Sequence, residues 1–146
     1  MIRTALLLLA ASLSSGVLAA GSGELYRDPN CGCCEAHAEY LRDHGLKIEI
    51  IAADDLGAVK SEQGVPRPLA SCHTMVIDGY VVEGHVPIDS IRRLLSEQPD
   101  VAGIAVPGMP IGSPGMGEGL REPLQVWTIP AQAAQAPSIY ATYQQL

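Results

Sequence analysis

The segment around Asp78-Gly79 restricts the folding of this 146-residue chain more than any other. His73-Thr74-Met75-Val76-Ile77 and Tyr80-Val81-Val82-Glu83 are β-prone runs, and an Asp-Gly pair between two such runs predicts a type I′ hairpin, whose two central residues need positive φ. A two-residue turn also fixes the register. Ile77 opposes Tyr80, and counting outward brings Cys72 opposite His85. Directly opposed residues share a sheet face with Cβ atoms about 4.5 to 5.5 Å apart. A soft sulfur and an imidazole are therefore expected side by side, while His73, by the same alternation, points away from Cys72.

Around this hairpin the remaining elements follow from periodicity and punctuation. Glu24-Leu25-Tyr26-Arg27 reads as a short strand and Asp28-Pro29-Asn30 as a turn. From Cys34 to His44 a helical stripe of apolar or site-type residues runs through Cys34, His37, Ala38 and Leu41, and Gly45 supplies the stop. The isoleucine-rich run Lys47 to Ala53 is a strand. Asp54 or Asp55 caps a short helix through Lys60 and Glu62, ended by Gly64 and Pro66. Pro87 opens a helix with Ile88, Ile91, Leu94 and Leu95 on one face, stopping before Pro99. The expected fold class is α/β, thioredoxin-like in its βαβ-α-ββ-α order, with a parallel crossover followed by an antiparallel pair and a covering helix.

The flanks differ in kind. Residues 100–119 interleave Pro107, Pro110 and Pro114 with six glycines and carry Met109 and Met116, a loop of a length usually functional or disordered. Gln125–Ile129 and Ser138–Tyr143 are strand candidates in a C-terminal extension. One domain is expected over 21–146, with its core about 24–98, the loop at 100–119 and the extension at 120–146. At the other end, Arg3, the apolar run Ala5 to Ala11 and Val17-Leu18-Ala19-Ala20 have the pattern of a signal peptide over 1–20, cleaved near Ala19/Ala20, and so imply a periplasmic protein. Ser12, Ser14, Ser15 and Gly16 interrupt that run, which argues against a stable membrane anchor. A net charge of −7 disfavours nucleic acid and anionic lipid as partners and suits cations.

Four cysteines in an exported protein would ordinarily make two disulfides, but Cys31, Cys33 and Cys34 are too close for that. Only Cys31 with Cys34 has the C-x-x-C span that closes at a helix start. Thiols at a helix N-terminus are acidified by its free N–H groups, so Cys33 and Cys34 are expected to form thiolates, which serve both as nucleophiles and as metal ligands. The metal-ligand candidates are Cys31, Cys33, Cys34, Cys72 and His85, with Met109, Met116, His73 and His37 as secondary ones. His37, one turn beyond the cysteines, reads more naturally as a surface bystander, His44 as a solvated helix end and Met75 as core. Thiolates with thioethers favour copper(I), and thiolates with imidazole alone suit zinc equally well. Clustered thiolates can bridge more than one copper ion. The competing reading is a thiol-disulfide oxidoreductase using Cys31 and Cys34. Against it, thioredoxin-like enzymes carry a proline ahead of the third strand, whereas here the residue six before the turn glycine is His73, with Pro68 displaced upstream.

Cys31-Gly32-Cys33-Cys34, Ser71-Cys72-His73-Thr74, Gly84-His85-Val86-Pro87 and the stretch from Pro107-Gly108-Met109-Pro110 to Ser113-Pro114-Gly115-Met116 together resemble the CopG-like periplasmic proteins associated with copper resistance. These are distinct from the ribbon-helix-helix repressors of the same name. The resemblance spans about Tyr26 to Met116. It implies a thioredoxin-like fold, a copper site at the cysteine motif and a role in interconverting copper(I) and copper(II). The partners it implies are copper ions and other periplasmic copper-handling proteins.

Overall fold

The computed structural model describes residues 21–146, and the expected signal peptide lies outside them. Strand β1 (Ser22–Arg27) leads into helix α1 (Gly32–Asp43), and strand β2 (Lys47–Ala52) returns parallel to β1. Helix α2 (Leu56–Glu62) is capped by Asp55, whose carboxylate accepts from the Ala58 N–H at 2.9 Å. A single 3-10 turn, Arg67–Leu69, precedes the hairpin of β3 (His73–Ile77) and β4 (Tyr80–Glu83). Asp78 and Gly79 both have positive φ, 48° and 84°, as a type I′ turn demands, and Ile77 pairs with Tyr80. Helix α3 (Ile88–Glu97) follows. This is the βαβ-α-ββ-α order expected of a thioredoxin-like core.

Three further strands extend the sheet. Both C-terminal strands are present, as β6 (Leu124–Ile129) and β7 (Ile139–Tyr143). The reading of 100–119 as uninterrupted loop needs correction, because Gly103–Ala105 forms β5, parallel to β4 and antiparallel to β6. A Cβ on Gly103 would lie 2.7 Å from the Val81 carbonyl carbon, so glycine there permits the close strand approach. The result is a seven-stranded mixed sheet in the order β2-β1-β3-β4-β5-β6-β7.

The sheet's two faces are unequal. Leu25, Met75, Ile77, Val82 and Ile104 pack with Cys34, Ala38 and Leu41 of α1 and with Ile88, Ile91 and Leu94 of α3 in the main core. The opposite face carries a smaller cluster of Val65, Leu69, Val81, Ala105 and Ile129. On that second side, α2 sends Lys60 to the Glu83 carboxylate at 2.6 Å and the Thr74 hydroxyl at 3.0 Å. Glu83 is fully buried, and it also accepts from the Ser71 N–H at 2.6 Å and the Thr74 hydroxyl at 2.7 Å. A buried carboxylate is tolerable only with such a donor set. The network pins the segment just ahead of β3 against β4.

Candidate metal centre

Three chain segments converge where α1 begins and the hairpin ends. In the first, Arg27 holds the β1–α1 turn by donating to the Asp28 and Pro29 carbonyls at 3.0 and 2.7 Å and by pairing with Glu35 at 2.8 Å. The turn delivers Cys31 to the N-cap of α1, with Cys33 and Cys34 in the first turn. Cys31 and Cys34 form a disulfide, the one pairing that the spacing allows. Cys33 and Cys72 are free and half-buried. The Cys33 sulfur lies 3.5 Å from that of Cys31, and the Cys34 sulfur lies 3.6 Å from the Cys72 carbonyl oxygen. With Cys34 in the disulfide, its sulfur becomes a thiolate ligand only once that bond is reduced.

The second and third segments are the two ends of the hairpin. The Cys72 sulfur sits 3.0 Å from His85 Nε2, the juxtaposition expected from the register. It also sits 3.3 Å from His73 Nδ1, which corrects the expectation that His73 faces away. The reason is local. The paired ladder of the hairpin ends at Thr74 and Glu83, so Cys72 and His85 lie beyond it and are not held to strict alternation. His73 keeps the core-facing side shared by Met75 and Ile77, while Gly84, at φ +72°, turns the chain so that His85 comes to meet it. A Cβ on Gly84 would lie 2.6 Å from Ser71 Cβ, so the turn requires glycine.

His37 also needs reassignment. It is completely buried, on the stripe of α1 formed with Cys34, Ala38 and Leu41. Its Nε2–H donates to the Val86 carbonyl at 3.1 Å, and its Nδ1 meets His73 Nε2 at 2.8 Å. Burial, and then the proximity of His85, pushes the His37 pKa down to about 3. Burial also lowers His73, assisted by His37 and His85, and lowers His85. All three imidazoles are thus neutral at pH 7. Neutral imidazole is the form that binds metals. Burial, and then Cys33, pushes the Cys72 thiol up to about 11.

The loop after β5 covers this assembly. The Pro114 carbonyl accepts from His85 Nδ1–H at 2.7 Å. Gly115, at φ +83°, lies so close to α1 that a Cβ would stand 2.7 Å from the His37 backbone nitrogen. The loop is anchored at its other end by Gly108, whose N–H donates to Ala70 at 3.2 Å and whose carbonyl accepts from the Ser71 hydroxyl. Met116 is half-buried next to Gly115, whereas Met109 is 56% exposed. His44 is exposed and bonds the Tyr40 carbonyl, and Met75 is core, as expected.

Two overlapping ligand groups result. The donor atoms of Cys31, Cys33, Cys34 and Cys72 lie within 4.8 Å of one another, and so do those of Cys72, His73 and His85. Sulfur with neutral imidazole is a donor chemistry for copper(I) or zinc rather than for hard cations. Composition hid two supporting features: the buried Lys60–Glu83 pair behind Ser71, and the Val86 and Pro114 carbonyls that receive the imidazole N–H groups. Three of these residues, Ser71, Val86 and Pro114, already stood in motifs read from the sequence.

Residues 69–116 match the family described as protein of unknown function, DUF411. A solved structure titled copper resistance protein CopG, form 2, is 44% identical, with 84% of this chain and 98% of that chain covered and a TM-score of 0.77. Form 1 of the same protein is 45% identical, with 84% and 96% covered and a TM-score of 0.76. This chain belongs to the CopG family of copper resistance proteins. No match was found among curated protein sequences. Among the described residues, no helix of this CopG homologue is long and apolar enough to cross a membrane.

Proposed function

We propose that this CopG homologue is a periplasmic copper-binding protein of copper homeostasis. In its reduced form it holds copper(I) through Cys31, Cys33, Cys34 and Cys72, with His85 and His73 contributing nitrogen. The single observation that carries the reading is that Cys72 belongs to both ligand groups, so its thiolate can bridge an all-sulfur side and a sulfur–nitrogen side. The Gly/Pro/Met loop closes the site through Pro114 and Gly115, which makes Met116 a better candidate for thioether help than the exposed Met109. Copper(I) titration of the reduced mature chain against a competing chelator should give tight binding that collapses in Cys72→Ser and in Cys34→Ser. Equal affinity in wild type and both variants would sink the proposal, and X-ray absorption of the loaded protein would report sulfur and nitrogen neighbours directly.

The Cys31–Cys34 disulfide favours a second, compatible reading, in which the site exchanges electrons with copper. Two copper(II) ions accept one electron each from the Cys31–Cys34 dithiol, giving two copper(I) ions, the disulfide and two protons. Anaerobic mixing of the reduced protein with copper(II) should then produce copper(I) and the disulfide in a ratio of two to one. Reduction of protein disulfides such as insulin by the metal-free protein would instead favour the oxidoreductase reading.

A further inference from the structure

The hydrogen-bond directions around Cys72 are fixed by groups that cannot reverse. A carbonyl only accepts, so the Val86 oxygen requires a proton on His37 Nε2. A buried neutral His37 then has a bare Nδ1, which can only accept from His73 Nε2–H, 2.8 Å away. That places the His73 proton on Nε2 and leaves Nδ1 as a lone pair aimed at the Cys72 sulfur, 3.3 Å away. The Pro114 carbonyl fixes the proton of His85 on Nδ1 in the same way and leaves Nε2 as a second lone pair, 3.0 Å from the same sulfur. One S–H can serve only one of the two. The other is left as a buried acceptor without a donor, which is unfavourable, whereas a cation among the three atoms satisfies both nitrogens and the sulfur together.

We infer that His37 is a positioning residue, not a ligand: it locks His73 in the Nε2–H tautomer, so that His73 Nδ1, His85 Nε2 and Cys72 Sγ present three lone pairs to one metal ion. This rests on the metal-binding reading of the site and assigns a role within it. Partners of this kind, which orient metal-bound histidines, typically change affinity by about 10- to 100-fold when removed.

The test reads tautomers and affinity separately. Long-range proton–nitrogen NMR of the metal-free wild type should show His37 and His73 protonated at Nε2 and His85 at Nδ1. A His73 proton on Nδ1 overturns the inference whether or not copper binds. In copper(I) competition titrations, His37→Ala should weaken binding about 10- to 100-fold, and His37→Asn, whose amide oxygen can replace Nδ1 as acceptor, should restore most of it. Unchanged affinity in His37→Ala, or equal loss in both variants, means that His37 acts only by packing or not at all, and overturns it. Should wild type bind no copper(I), the proposed function fails, while the tautomer assignment is still decided by the spectrum.

Discussion

Cys72 keeps its proton in the metal-free protein, because burial and then Cys33 push its thiol up to about 11. A metal must displace that proton, so apparent copper(I) affinity should rise about tenfold per pH unit for each thiol deprotonated. Titrations at pH 6, 7 and 8 check this, and Cys72→Ser should reduce the slope by one proton. The three buried histidines act on stability instead. Their folded pKa values lie below the unfolded value of about 6.5, so the unfolded chain binds more protons between those limits. Their stabilisation is complete above about pH 6.5 and drains as pH falls toward about 3, the value for His37. Denaturant midpoints of the metal-free protein should therefore drop steadily from pH 7 to pH 4, whereas a flat profile would contradict neutral burial. The position of His37 was legible, since it lies on the stripe with Cys34, Ala38 and Leu41. Only the habit of reading a helical histidine as solvated concealed it. The meeting of His73 with Cys72 was not legible, because alternation holds for His73 within β3 but says nothing about Cys72 and His85, just beyond the hairpin's last pair.

At the scale of elements, the centre depends on two supports remote from the sulfurs. Lys60 of α2 neutralises Glu83 across the second sheet face, with side-chain exposures of 15% and 0%. Removing one partner of such a buried pair typically costs about 3–5 kcal/mol. Lys60→Met should therefore lower the urea midpoint markedly and loosen the Ser71–Cys72 segment, while Lys60→Met with Glu83→Gln, whose neutral amide oxygen can still accept from the Ser71 N–H, should recover part of the loss. The second support is the covering loop. Gly115→Ala would push a methyl toward the His37 backbone nitrogen and strain a residue at φ +83°, so it should lift the loop and accelerate copper(I) transfer to a chelator. Unaltered transfer rates would show that the loop does not guard the site. The loop's content was readable from its glycines and prolines, but strand β5 was not. Three residues, Gly103–Ala105, are too short for a period, and their pairing is dictated by β4 and β6 on either side.

For the whole molecule, the hairpin register and the βαβ crossover were legible because each is set by local chemistry, Asp78-Gly79 in one case and alternating periodicities in the other. The seven-strand order required long-range pairings that no single segment announces. The consequence for stability lies in how the covalent and candidate metal links differ. The Cys31–Cys34 disulfide spans a sequence separation of only 3, so it removes little freedom from the unfolded chain. Cys34 and Cys72 are 38 residues apart, and Cys72 and His85 are 13 apart. An ion shared among them would act as a polymer cross-link, closing the long loops that the disulfide leaves open. At a free copper(I) level 100 times its dissociation constant, the reduced protein should gain about 2.7 kcal/mol, read as a higher melting temperature that a chelator abolishes. By tying together segments that the backbone keeps far apart, an ion held there would be a determinant of folding cooperativity as well as a ligand.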